Sequence, residues 1–271
     1  MDERTWYLGP PGDMRGLISP DGGVERTVQR YGGVHQALSG ARTMDITGHR
    51  ASYTLPVPAV TPAESRFVEA LHQRTVPGPY RLLDPLARNR LPREVAMLKP
   101  SVADLRISGG GTARDPQSPA EVGVPVTSLQ WGAYTAGSSV SLPGVPVLDG
   151  ETITVSVWAA ATETITCTIR IVFTGPDGGA VAIERHEAAL ATAFNRVAVA
   201  VAVPDGAATA TVSFAPEVTN RVWLAAAQIE DGGMAGEWDL GGGAPTVVID
   251  QLERSSPIYP LGDLTLTLLE V

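Results

Sequence analysis

Along most of this chain hydrophobic residues recur at every second position, the period of a strand with one buried face. At the C-terminal end Leu264, Leu266 and Leu268 alternate with Thr265 and Thr267 across 263–271. A second strand-like run, 246–251, precedes it across a polar turn containing proline. A lone hairpin cannot bury one greasy face stably in water, so this pair must join a sheet. Between about 129 and 226 the same alternation returns at short intervals, with turn signals between the runs. Ile153, Val155 and Val157 share one face, as do Ile165, Cys167, Ile169, Ile171 and Phe173. Val197, Val199, Val201 and Val203 line the next strand, followed by Ala210, Val212 and Phe214, and then by Val222, Leu224 and Ala226. Gly175-Pro176-Asp177-Gly178-Gly179 and Pro204-Asp205-Gly206 supply turns. About eight strands in roughly 120 residues predict a two-sheet jelly roll.

The first hundred residues mix short strands with one helix. Strands are predicted at 6–8, 14–18, 25–29, 49–57 and 80–84, divided by turns such as Pro10-Pro11-Gly12 and Pro20-Asp21-Gly22-Gly23. Thr61-Pro62-Ala63-Glu64 is a capping box with proline at the first helical position, and it satisfies backbone N–H groups that a helix start leaves orphaned. Phe67, Val68 and Leu71 follow at helical spacing, and Pro77-Gly78-Pro79 forbids continuation. The segment 85–92, with Arg88, Arg90 and Arg93 in and beside it, is expected to be a positively charged loop.

Polarity and loss of period at 106–123 predict a linker and entry loop. The glycine runs 109–111 and 241–243 read as hinges, because neither has the strand-to-helix context or the lysine of a phosphate cradle. The predicted fold class is therefore mainly β. A split β-rich domain with one helix comprises 1–105 and 244–271, and a β-sandwich (jelly roll) at 124–243 is inserted into it. The competing arrangement has the final hairpin simply extending the middle domain.

Composition narrows the function. The 271 residues hold 29 Gly and 22 Pro, the punctuation of many short strands. A net charge of −9 argues against nucleic acid or an anionic membrane as a partner. Neither a leader pattern nor a run of roughly 20 apolar residues is present, so the chain is expected to be soluble and not exported. The single cysteine, Cys167, excludes an intramolecular disulfide and reads as a small buried hydrophobe. His35, His49, His72 and His186 show no metal-ligand spacing. Glu184 and Glu187 invite comparison with a glycosidase carboxylate pair, but two solvated acids at a strand end account for them. No catalytic residue is expected, and a binding or structural role is the default.

One constellation stands apart. Alternation places Trp158, Arg170 and Trp223 opposite the aliphatic stripes of their own strands. Indole faces beside a planar donor are the chemistry of a shallow sugar site, with Trp131 and Tyr134 as further candidates. The alternative is that these rings are covered by the neighbouring domain or by a partner subunit. Glu230, Asp231 and Asp239 offer oxygen ligands for a structural calcium, against the alternative of a solvated acidic turn; no other cofactor is expected.

Taken in order, YLGPPGDMRGLISPDGG, VERTVQRYGG, SGARTMD, TPAESRFVEAL and PGPYRLLDP resemble the belt-forming part of distal (minor) tail proteins of long-tailed bacteriophages and related tail-like particles. The closing YPLGDLTLTLLEV is similar to the last strand of that domain. The middle, ending in LAAAQIEDGGMAGEW, resembles jelly-roll modules related to carbohydrate-binding modules. The resemblance implies a virion protein, made in the host cytoplasm, that forms a six-fold or three-fold ring at the tail tip or baseplate. Its implied partners are copies of itself, the tail tube, other tail-tip proteins and host-surface carbohydrate. It implies no enzymatic activity. Two other readings stand beside it: a free-standing glycan-binding protein, and an accessory binding domain of a cell-wall glycosidase. Residues 29–43 and 88–93 are expected to be contact segments of the ring.

Overall fold

The computed structural model describes residues 5–17, 23–37, 39–44, 48–99, 103–121, 123–125, 127–133, 137–216 and 220–271. They are mainly β and fall into two units: the described residues within 5–10, 15–82 and 245–271 make one, and those within 11–14 and 83–244 make the other.

The first unit begins with β1 (Trp6–Gly9), β2 (Arg15–Leu17), β3 (Glu25–Tyr31), the small hairpin β4 (Val34–Gln36) and β5 (Arg42–Met44), and the long β6 (Gly48–Val60). Helix α1 (Pro62–His72) starts at the capping box. The Glu64 N–H donates to the Thr61 hydroxyl at 3.3 Å, and the Glu64 carboxylate accepts from the Thr61 N–H at 2.7 Å. β7 (Tyr80–Leu83) follows.

The second unit opens with a one-turn helix, α2 (Arg93–Ala96), and is otherwise a sandwich. Its strands are β8 (Arg106–Ser108), β9 (Thr112–Asp115), β10 (Ser128–Ala133), β11 (Ser139–Ser141), β12 (Val145–Pro146), β13 (Thr152–Ala161), β14 (Ile165–Thr174), β15 (Ala180–Leu190), β16 (Asn195–Ala202), β17 (Thr209–Pro216) and β18 (Asn220–Asp231). One sheet runs β16-β13-β18-β10-β9 and the other β15-β14-β17-β11-β8, with β12 beside β17. The aliphatic stripes of the two sheets meet in one core, which includes Trp131, Phe173, Phe214, Ile229 and the buried Cys167.

The chain then returns to the first unit with β19 (Thr246–Ile258) and β20 (Leu261–Glu270). This hairpin inserts between β7 and β6, so that the sheet order is β2-β1-β7-β19-β20-β6-β3. Leu264, Leu266 and Leu268 lie opposite Val57, Leu55 and Tyr53 of β6. With Phe67, Val68 and Leu71 of α1 they form the core of this unit. The greasy face noted in the sequence thus finds both a neighbouring strand and a covering helix.

Several expectations are corrected. The boundary expected near 105 lies at 82/83, because Leu91, Val95, Ala96 and Leu98 bury their apolar side chains in the sandwich core. The expected linker 106–123 contains β8 and β9, edge strands of the two sheets and too short for alternation to register. In place of the expected hinges, the glycine runs hold close backbone approaches at Gly110, Gly241 and Gly243. A Cβ on Gly110 would sit 1.4 Å from the Gly132 carbonyl oxygen, and one on Gly243 would sit 2.1 Å from that of Ala87. The segment 88–92 is a loop with Arg88 exposed, but it is not exposed throughout. Asn89, Arg90 and Leu91 are buried, and the Arg90 guanidinium makes a two-pronged ion pair with Glu151 at 2.6 and 2.8 Å.

Candidate functional site

The sandwich has two outward faces, and the structure divides the predicted sugar-binding residues between them. Trp158 on β13 and Trp223 on β18 lie on the outer side of the five-stranded sheet, away from the aliphatic core. Arg170 on β14 belongs to the six-stranded sheet. The three side chains therefore do not converge, because alternation within a strand says nothing about which sheet that strand joins.

Nor are the two indoles open to solvent. Trp158 is 9% and Trp223 8% exposed. Trp158 packs with Ala225, Ala226, Val124, Phe194 and Trp238 in a small second core. Part of that cover comes from the chain just beyond β18, which folds back over the face and is held by polar groups. The Thr154 hydroxyl donates to the Gly232 carbonyl at 2.6 Å, and Glu230 accepts from the Gly236 N–H at 2.8 Å. The Gln228 side chain accepts from the Asp239 N–H and donates to the Glu237 carbonyl, at 2.9 and 3.2 Å. Arg196 bridges the Ser156 hydroxyl and the Gly236 carbonyl. β13 is consequently buried on both faces, and Thr154, Ser156, Gln228 and Glu230 are buried polar residues. Within this segment the close approach is at Gly236, where a Cβ would sit 2.8 Å from the Arg88 guanidinium and 2.9 Å from the Glu230 carboxylate. The indole N–H groups of Trp223 and Trp238 make no hydrogen bond, so it is not their polar edges that anchor these rings.

Trp131 and the acidic candidates each have their own local setting. Trp131 points into the sandwich core, fully buried, and its indole N–H donates to the Gly109 carbonyl at 2.8 Å. Tyr134 lies outside the described residues. Of the calcium candidates, Glu230 is buried and bonded to the Gly236 amide, and Asp231 is exposed. Among the described residues no group of three or more His, Cys, Asp or Glu is placed to hold a metal ion. Glu184 and Glu187 sit in β15 opposite Ile171 and Thr168, on opposite sides of the strand, and so form no carboxylate pair. No described helix is long and apolar enough to cross a membrane.

In the other unit, the conspicuous surface is the free edge of the sheet. β3 is exposed at all seven positions, and among the described residues it pairs only with β6. Val28 and Tyr31 are 43% and 50% exposed there, and Val34 in the hairpin that follows is 56% exposed. An edge strand presents unpaired backbone donors and acceptors, a template for pairing with another chain.

No protein-family model matches the chain, and no curated protein matches it. Among solved structures it is similar to the enzymatically active domain of tailspike protein 4 of bacteriophage CBA120, at 17% identity and a TM-score of 0.46. That match covers 53% of this chain and 21% of the tailspike chain, so this chain spans about a fifth of that relative. It is also similar to a xylan-binding family 22 module of Paenibacillus barcinonensis, at 11% identity and a TM-score of 0.41, covering 51% of this chain and 91% of the module. A family 22 carbohydrate-binding module of Clostridium thermocellum gives 14% identity and a TM-score of 0.42, covering 52% and 93%. Likenesses at this level assign neither a family nor a ligand.

Proposed function

We propose that the protein is a non-catalytic structural subunit of a phage tail tip or baseplate. Copies associate side by side into a ring through the seven-stranded sheet, and the sandwich serves as a module for contact with host-surface carbohydrate. The observation that carries this reading is the β3 edge, seven consecutive exposed residues with Val28 and Tyr31 among them, continued by the exposed Val34. Soluble proteins usually blunt such edges with charges, prolines, bulges or cover; of these β3 has the charges of Glu25, Arg26 and Arg30, which leave Val28 and Tyr31 open. A neighbouring copy would satisfy the free backbone groups and remove the apolar side chains from water. The opposite edge of the sheet is the different, three-residue strand β2. A contact between unlike edges is heterologous, and repeated by rotation it closes a ring.

The test is the mass of the full chain in solution by sedimentation and mass photometry, with electron microscopy of the particles. Wild-type protein should populate closed oligomers, and the triple variant Val28→Lys, Tyr31→Lys, Val34→Lys should shift to monomer without loss of folded structure. A wild-type chain that remains monomeric throughout the micromolar range, alone and with tail-tube protein, would refute ring assembly.

A further inference from the structure

The register of the six-stranded sheet aligns five residues in one row. Arg106 of β8 is opposite Ser141 of β11, and Ser141 is opposite Ser213 of β17. Ser213 is opposite Arg170 of β14, and Arg170 is opposite Arg185 of β15. Residues directly opposite one another share a face, so Arg106-Ser141-Ser213-Arg170-Arg185 is a single rung on the outer surface of the sandwich. Neighbouring strands lie about 4.8 Å apart, which gives the rung a length of about 19 Å. All three arginines are exposed, while Ser141 and Ser213 between them are half-buried.

The charge of this rung is uncompensated. None of the three guanidiniums forms an ion pair or hydrogen bond with a described residue. Arg170 and Arg185 stand side by side, where like charges repel. The acid nearest in register is Glu187, opposite Thr168 in the next row, and it pairs with neither. A positive rung is out of keeping with a chain of net charge −9. On one side lies Thr168, on the other the row Thr211-Val172-Ile183, and near Arg106 the Ser108–Ser139 hydroxyl pair at 3.1 Å.

We infer that this rung is a binding site for an acidic polysaccharide, with the guanidinium forks taking carboxylates and the serine and threonine hydroxyls taking sugar hydroxyls. Planar guanidinium matches planar carboxylate through two parallel hydrogen bonds. The rows named contain no aromatic ring on which a nucleobase could stack, which disfavours single-stranded nucleic acid. The inference deepens the contact role proposed for the sandwich and rests on that role, but not on ring assembly. A ring would add avidity to a weak single site.

The test measures binding of the full-length chain to oligoalginate, a polyuronate, by calorimetry. Xylohexaose, poly(glycerol phosphate) and a single-stranded oligonucleotide serve as comparison probes. Oligoalginate should bind, more weakly as salt is raised, and xylohexaose should not. The exposed double variant Arg170→Gln, Arg185→Gln should weaken binding by about tenfold or more through loss of two charge-assisted contacts. Arg106→Gln should weaken it less, and Trp158→Phe on the opposite face should leave it unchanged. Oligomeric mass is recorded for every variant, so loss of binding at unchanged mass is distinguished from failure of ring assembly. Absence of oligoalginate binding, insensitivity to the arginine variants, or preference for any comparison probe would overturn the assignment.

Discussion

Asn89 offers the sharpest test of how the second unit is held together. Its side chain is fully buried, and all four of its hydrogen-bonding positions are used. The amide nitrogen donates to the carbonyls of Ala227 and Asp239, both at 2.9 Å. The amide oxygen accepts from the N–H groups of Leu91 and Ile229, at 3.2 and 3.1 Å. It thereby secures β18 just past a bulge, where Ala226 has a φ of 52° and the register to β13 shifts. Asn89→Ala strands two donors and two acceptors. Each buried group left unpaired costs about 1–3 kcal/mol; allowing for relaxation and water entry, the expected loss is about 3–5 kcal/mol, against a typical domain stability of about 5–15 kcal/mol. Asn89→Asp keeps the shape but sets a carboxylate oxygen against two carbonyls, so it should be at least as damaging as alanine. Urea unfolding followed by tryptophan fluorescence reads this unit selectively, since Trp131, Trp158, Trp223 and Trp238 lie in it and only Trp6 lies in the other. A loss below about 1 kcal/mol for alanine, or an aspartate variant clearly more stable than the alanine one, would refute this account of the bulge.

Glu151→Ala leaves the buried Arg90 guanidinium without its ion pair and the Leu148 N–H without its acceptor; the same melts should show a loss of about 3–5 kcal/mol. Leu266→Ala removes a fully buried side chain opposite Leu55 and should lower the stability of the first unit by about 2–5 kcal/mol, read by hydrogen exchange of β6 and β20 amides with the sandwich unaffected. Thr61→Ala removes one half of the capping box and should cost about 1 kcal/mol, visible as faster exchange in the first turn of α1.

Much of the local structure was legible in the chain because it is decided by neighbours in sequence. The alternation of leucine with threonine at the C-terminal end, and of isoleucine with polar residues in β14, fixes which side of each strand is buried whatever sheet it joins. The capping box and the proline-glycine turns act through their own backbone, so the start of α1 and many strand breaks could be read directly. The fold class followed from these patterns. The binding constellation did not, since Trp158 and Arg170 are outward in the same sense and belong to different sheets. Register between strands distant in sequence is a property of pairing, and only the tertiary structure could show Arg106, Arg170 and Arg185 lying in one row. Cover is equally non-local: the chain after β18 folds back and brings Trp238 against Trp158, whereas alternation left open whether solvent or protein would meet that ring. The same holds for Gly110 and Gly243, whose reason for being glycine is the nearness of another backbone. Period and turn chemistry thus determined the strands and their faces, while long-range pairing and close packing decided which faces stay open to a partner.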